Sequence, residues 1–508
     1  MIISFILLTL FYFIYMIYLV VSDTNSLIII ASLAMAYIVY VGIISKKPEN
    51  SLYAFLILFL FFPRGGNNFR IFRIEELVGI SFFSILQDVA AFTICLHLIR
   101  AKKLKSMIPK KLKIFCLLFF CLVGLAFIPS LLQQLLGGYW EAIVTPEELT
   151  WVAPLLYGLI FLYGCMAFIK RVQQIERIFL IVIFSGIDLV LETVLYFHLR
   201  LPLPFPERAI HESGRFMGLV FVDYVTLALV CFMSIGCALY FLFARKRYVF
   251  SLLIPLLFLP IVATYQRAPM AAGVLIIGSF ILIGGYLKPR VVVPVVVLIV
   301  GLSVFSNTLE RYWEPLKSFW EGDVRPDYFS RYADSWTSRV GSYLRGMDVF
   351  IFSFPFGVGP ERVPIFMSSA AVPNYLGLSK GWLEMQHFYW TIAQGRHVTG
   401  THGFYFSFIA EYGLLGVVVM WVCISTLVSK FQNFGRVGKA LKKNNIQLFL
   451  VQTTAYSVLV GIVFWWFFYH YTFYWLFFFL FFLTFFWPKY DSEIARRFTG
   501  DVTNMIRS

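Results

Sequence analysis

The chain has 508 residues, 60% of them hydrophobic and 14% charged, with a mean hydropathy of +0.80 and a formal net charge of +15. Soluble globular domains carry about 25% charged residues, so this composition excludes an ordinary soluble fold and points to an integral membrane protein. The positive charge does not imply nucleic-acid binding, because the basic residues sit in short loops between apolar runs, where the positive-inside rule accounts for them.

In chain order, the first apolar run, Ile2 to Val21, lacks a small-residue cleavage motif and reads as a first span, not a signal peptide. Further runs of about 20 apolar residues recur along most of the length, as a helix needs to cross the hydrocarbon core. Basic clusters mark the expected cytoplasmic side. They are Lys46-Lys47, Arg100 to Lys113, Lys170-Arg171, Arg245-Lys246-Arg247, Lys288 with Arg290, Lys430 to Lys443, and the tail from Lys489. The expected outer loops lie near Asp23, at Arg64 to Glu76, Gly137 to Glu148, Leu199 to Arg215, near Arg267, and at Ser306 to Thr401. Alternation holds with about 14 spans and both termini inside. Ser51 to Phe62 and Ser251 to Thr264 are short for a full crossing. The predicted architecture is an all-α polytopic membrane protein of about 14 transmembrane helices. Residues 1–305 hold transmembrane helices 1–11, 306–401 form one large extracytoplasmic loop, 402–487 hold helices 12–14, and 488–508 form a cytoplasmic tail. The seven cysteines all lie in apolar runs without metal-ligand spacing and read as small buried hydrophobes.

The 306–401 loop is charge-balanced, unlike the cytoplasmic loops, and carries Trp313, Trp320, Trp336, Trp382 and Trp390. A structureless loop of that length is unusual. Thr337 or Ser338 can cap a helix that runs to about Phe352 and stops before Pro355. Pro360, Pro364 and Pro373 then favour irregular structure, and a second short helix is expected around Trp382 to Ala393. The Phe-rich stretch Phe464 to Trp487 reads as lipid-facing and packing surface.

Ionisable residues within membrane segments are costly, so each is a functional candidate. Arg267 interrupts an apolar hairpin at its outer end; the bland alternative is an arginine that snorkels to the interface. Arg339 and Arg345 share the expected loop helix, and Arg215 stands at the outer mouth of the span that holds Asp223. Guanidinium groups bind phosphate bidentately and keep their charge, so converging arginines suit a diphosphate. His402, at the mouth of the span from Phe406 to Val428, can serve as a general base toward a hydroxyl. Glu411 lies deeper on the same span and is expected to pair with an arginine or orient the site. Asp188 and Glu192 are spaced i, i+4 on one helix, which suits either a proton relay or helix packing.

Several segments occur in an informative order: Arg215-Phe216-Met217-Gly218 through Asp223, then Tyr265-Gln266-Arg267, then Ser338-Arg339. Phe354-Pro355-Phe356-Gly357-Val358-Gly359-Pro360 follows, and then Thr401-His402-Gly403-Phe404-Tyr405 with Ala410-Glu411-Tyr412-Gly413-Leu414-Leu415-Gly416. Together these segments resemble the signature of the bacterial O-antigen ligase and O-antigen polymerase superfamily. Gln266 and Ala268 stand where that family usually has Ser and Gly around its membrane-edge arginine. Gly403 stands where Asn or Ser usually follows the histidine.

The resemblance implies a GT-C-like glycosyltransferase, inverting and metal-independent, with no cofactor. Its donor would be an oligosaccharide on undecaprenyl pyrophosphate. The catalytic residues would be His402, Arg339 and Arg267, with Arg215, Arg345, Tyr405 and Glu411 binding substrate. Arginines in place of a metal fit a lipid diphosphate, already a good leaving group, and no Asp-x-Asp motif stands in an outer loop. The expected setting is the bacterial cytoplasmic membrane with the site facing the periplasm. Membrane lipids and a chain-length regulator protein are the expected partners, and nucleic acid is not. The high span number favours a polymerase; a ligase that transfers to lipid A-core is the alternative. A lipid-linked oligosaccharide flippase, working through Asp188, Glu192 and Asp223, is the alternative from another class.

Overall fold

The computed structural model describes residues 38–61, 82–101, 146–169, 171–199, 224–264, 267–286, 336–359, 363–368, 372–377 and 403–466. Among the described residues the secondary structure is helical, with no strand. The helices are α1 (Pro48–Phe61), α2 (Phe82–Arg100), α3 (Pro146–Phe168), α4 (Val172–Glu192), α5 (Tyr224–Ala244), α6 (Val249–Ala263), α7 (Arg267–Gly284), α8 (Trp336–Ser353), α9 (Val363–Ser368), α10 (Phe404–Asn444) and α11 (Ile446–Trp465). A π-helical turn, Thr193–His198, extends α4. Among the described residues four stretches are long and apolar enough to cross a membrane: Val172–Leu195, Leu227–Ala244, Tyr405–Ser429 and Ile446–Trp465. Pro48–Phe61, Tyr157–Phe168, Val249–Ala263 and Ala268–Gly284 are shorter apolar helices. The expected span that ends at Arg100 is α2; the other expected spans fall wholly or largely outside the described residues, as do the helix expected at Trp382 to Ala393 and the tail.

The core is one continuous apolar cluster centred on α5 and α11, both largely buried. These two run antiparallel: Phe232 packs on Trp465 at 4.8 Å, and Gly236 faces Val458. α7 also opposes α11, with Ile276 against Gly461 and the Gly284 carbonyl near the start of α11. α4 packs along α5, where the Ser234 hydroxyl donates to the Val182 carbonyl at 2.7 Å. Cys165, Cys231 and Cys237 are buried and free, as expected of small core residues, and Cys95 is half-buried.

The described basic segments gather at one end of this bundle. Arg245 donates two hydrogen bonds, each 2.8 Å, to the Glu176 carboxylate near the start of α4. Gln174 donates to Glu49 at 2.8 Å, which brings in the Lys46-Lys47 loop. Lys442 donates to the Gly284 carbonyl at 2.6 Å, with its ammonium over the Tyr286 ring. A cation there satisfies a helix C-terminal carbonyl and opposes the helix dipole. Arg100 ends α2 at the same end, because α2 runs against α1 with Gln87 donating to the Leu58 carbonyl. The starts of α7 and α10 lie at the opposite end.

Candidate active site: a clasped helix break beside three helix starts

α10 starts at Gly403, its N-cap, in extended backbone. Inside the helix Gly413 adopts φ 58° and ψ −141°, so the 41-residue element is two helices joined at a break. Hydropathy passes straight through this point, since leucine and valine continue beyond it. The break frees main-chain groups that a helix would pair, and the segment after α8 takes them up. Val358 donates to the Ala410 carbonyl and Gly359 to the Glu411 carbonyl, each at 3.0 Å, while Leu414 donates to the Pro355 carbonyl at 2.8 Å. Phe354 to Gly359 and Ala410 to Leu414, read in the sequence as separate motifs, are thus two halves of one main-chain clasp.

The two glycines make the clasp possible. Gly357 has φ 80° and Gly413 φ 58°, both in the left-handed region that L side chains avoid. They also abut. A Cβ on Gly357 would lie 2.6 Å from Gly413 N and closer still to the Glu411 carbonyl oxygen. A Cβ on Gly413 would lie 2.7 Å from Gly357 N and clash harder with the Pro355 carbonyl oxygen.

α8 lies beside the first part of α10. Tyr343 stacks on Phe406 with ring centroids 4.6 Å apart, and Val349 shares a small buried cluster with Ala410 and Val358. Positions therefore rise together along both helices, and their N-terminal ends lie side by side. The start of α10 is also tied to α11, where the Tyr405 hydroxyl donates to the Val463 carbonyl at 3.0 Å.

Arg345 is 4% exposed and points into this assembly. Its Nε donates to the Met367 carbonyl at 2.9 Å, and its terminal nitrogens donate to Val372 at 3.0 Å and Pro373 at 3.2 Å. It also pairs with fully buried Asp348 at 3.5 Å. The second Asp348 oxygen accepts the Leu376 N–H at 3.0 Å. Burial pulls the guanidinium pKa below its ordinary value, and the Asp348 carboxylate opposes that shift. The guanidinium braces α8 to the end of α9 and to the chain that follows it.

The expected site residues distribute as follows. Arg267 is the first residue of α7, and Arg339 lies in the first turn of α8, four residues before Tyr343. His402 immediately precedes the α10 N-cap and, with Arg215 and Asp223, lies outside the described residues. Tyr405 and Glu411 are buried; Tyr405 bonds to α11, and the Glu411 main chain joins the clasp. Asp188 and Glu192 lie on the last turns of α4, away from the basic end. Asp348 and Tyr343 were not singled out by sequence. Gly357 and Gly413 stood in the two quoted motifs, but the pairing between those motifs was not legible.

Among the described residues no group of three or more His, Cys, Asp or Glu side chains could hold a metal ion. No curated protein and no solved structure matches the chain. A family model described as O-antigen ligase matches residues 252–421, a stretch that runs from α6 through α8 and the clasp into α10. That match supports a place for this membrane chain in the O-antigen ligase and polymerase superfamily its motifs resemble, with an enzyme of the ligase or glycosyl-transfer kind as its function.

Proposed function

We propose that the chain is a polysaccharide polymerase of the bacterial cytoplasmic membrane. It would move a glycan from undecaprenyl pyrophosphate to a sugar hydroxyl of another lipid-linked repeat unit, on the periplasmic face. The observation that carries this reading is that three helix starts lie at the same end of the bundle, opposite the basic one. Arg267 opens α7, Arg339 stands in the first turn of α8, and His402 adjoins the N-cap of α10. Helix N-termini favour anions, and arginine supplies permanent charge in a planar fork, so the three starts suit a diphosphate.

In the proposed step the acceptor hydroxyl oxygen attacks the anomeric carbon from the face opposite the diphosphate. The carbon–oxygen bond to the diphosphate breaks as the new glycosidic bond forms, with inversion. His402 takes the hydroxyl proton, and Arg267 and Arg339 hold the charge that develops on the departing undecaprenyl pyrophosphate. Arg215 contributes from the preceding outer loop. Tyr405, Glu411 and Arg345 support the site through the main-chain contacts described above. Cationic side chains then do the work of a metal, so activity should persist in excess EDTA. Loss of activity restored by magnesium would contradict that part. The bilayer and a chain-length regulator protein are the proposed partners.

The description of the matching family favours a second reading, a ligase that passes the glycan to lipid A-core. One purified-protein assay separates the readings. A lipid-linked repeat alone should yield longer lipid-linked chains and free undecaprenyl pyrophosphate. Product only when lipid A-core is added would establish the ligase. Absence of undecaprenyl pyrophosphate release with either acceptor would favour a flippase.

A further inference from the structure

The apolar outer surface of α10 continues onto the turn that closes α8. Leu414, Val417, Val418 and Trp421 are exposed, Trp421 by 72%, on a helix long and apolar enough to span a membrane. In a bilayer such a face meets hydrocarbon. Leu414 is joined to the turn by its 2.8 Å hydrogen bond to the Pro355 carbonyl. On either side of Pro355, Phe354 is 55% and Phe356 76% exposed, and Ile351 and Phe352 are exposed beside them. No ionisable residue occurs from Val349 to Pro360. Contiguous large apolar side chains on a surface mark a contact with a partner or a membrane.

Irregular backbone cannot enter hydrocarbon with unpaired amides. Here the amides are paired. Phe354 donates to Ile351, Phe356 and Gly357 both donate to the Ser353 carbonyl, and Val358 and Gly359 donate into the α10 break. Pro355 has no N–H, and its carbonyl accepts from Leu414. The N–H groups of the turn are therefore paired while it presents aromatic side chains.

We propose that Phe354–Phe356 inserts among the acyl chains of the surrounding bilayer, beside the lipid-facing side of α10. It forms the tip of a re-entrant hairpin made by α8 and the chain leading to α9. At these residues the extracytoplasmic loop expected at 306–401 would dip into the bilayer, which holds the clasp at the membrane. The inference rests on the chain being a membrane protein and not on glycosyl transfer.

The test places the photo-crosslinking residue benzoylphenylalanine at position 354 or 356 of the full-length protein in nanodiscs of radiolabelled phospholipid. The same residue at Trp421 serves as the lipid-facing control. Irradiation should give phospholipid adducts at 354 and 356 with yields comparable to those at 421. Labelling at 421 with none at 354 and 356 would overturn the proposal. So would adducts only to a second copy or another protein, or only to an added polyprenyl lipid. The readout needs no turnover, so its failure and the failure of the enzymatic reading are separable.

Discussion

Arg345 illustrates a charged side chain in a candidate site whose hydrogen bonds run inward. Its donors meet the carbonyls of Met367, Val372 and Pro373, and Asp348 lies beside it without exposure. Arg345→Ala should therefore cost about 3–5 kcal/mol, the scale for stranding a buried charge partner. It would show as a lower melting temperature of the purified protein together with lost activity. Arg345→Lys should recover little, because one ammonium cannot reproduce the guanidinium fork. A variant with wild-type melting and a raised KM would instead place Arg345 on the substrate. Tyr405→Phe removes one neutral hydrogen bond, worth about 0.5–1.5 kcal/mol. Turnover should stay near wild type, and a large fall in kcat/KM without a stability change would make the hydroxyl a substrate contact. The residue types were legible, since Arg345 and Tyr405 stood out in the sequence. Their partners were not: Tyr405 bonds to a main-chain carbonyl 58 positions away, and no side-chain pattern encodes that contact.

At the scale of elements, the loop helix expected to be capped at Thr337 or Ser338 and to run to about Phe352 corresponds to the observed Trp336–Ser353, which already includes both expected caps; the proline that follows is the local signal for its end. The break in α10 was not legible, because apolar side chains continue across Gly413 and only main-chain groups register the interruption. The clasp gives a sharp test. Gly413→Ala and Gly357→Ala each force a side chain into left-handed backbone, at about 1–2 kcal/mol, and add a main-chain clash. Each should abolish turnover, while the protein still reaches the membrane and is recovered from detergent. Gly435→Ala, in an open helical position where a Cβ meets nothing within 4 Å, should be neutral or stabilising by up to about 1 kcal/mol. Active Gly413→Ala protein would show that the clasp does not position the site.

For the whole molecule, loop charge proved the most informative sequence signal. The described basic loops, far apart in the chain, lie at one end, as the positive-inside rule expects of short loops between spans. A membrane-impermeant thiol reagent on intact cells should label Tyr375→Cys from outside and Lys443→Cys only after permeabilisation; the reverse pattern would invert the topology. The α7 and α10 starts lie at the other end because both helices pack against α11, and the α8 start lies there because α8 packs along α10, which loop charge does not report. The central claim is that Arg267 and Arg339 act together on one diphosphate with His402 as the base. Its most direct test is turnover of a lipid-linked repeat by purified wild type, Arg267→Lys, Arg339→Lys, the double variant and His402→Ala, with melting temperatures matched. Each Arg→Lys change should cost about 2–4 kcal/mol in the transition state, roughly 30- to 1000-fold in rate. The double variant should fall by much less than the product of the single effects, as residues acting as a unit do, and His402→Ala should make no polymer. Wild-type turnover in both Arg→Lys variants, or normal polymer from His402→Ala, would contradict the account.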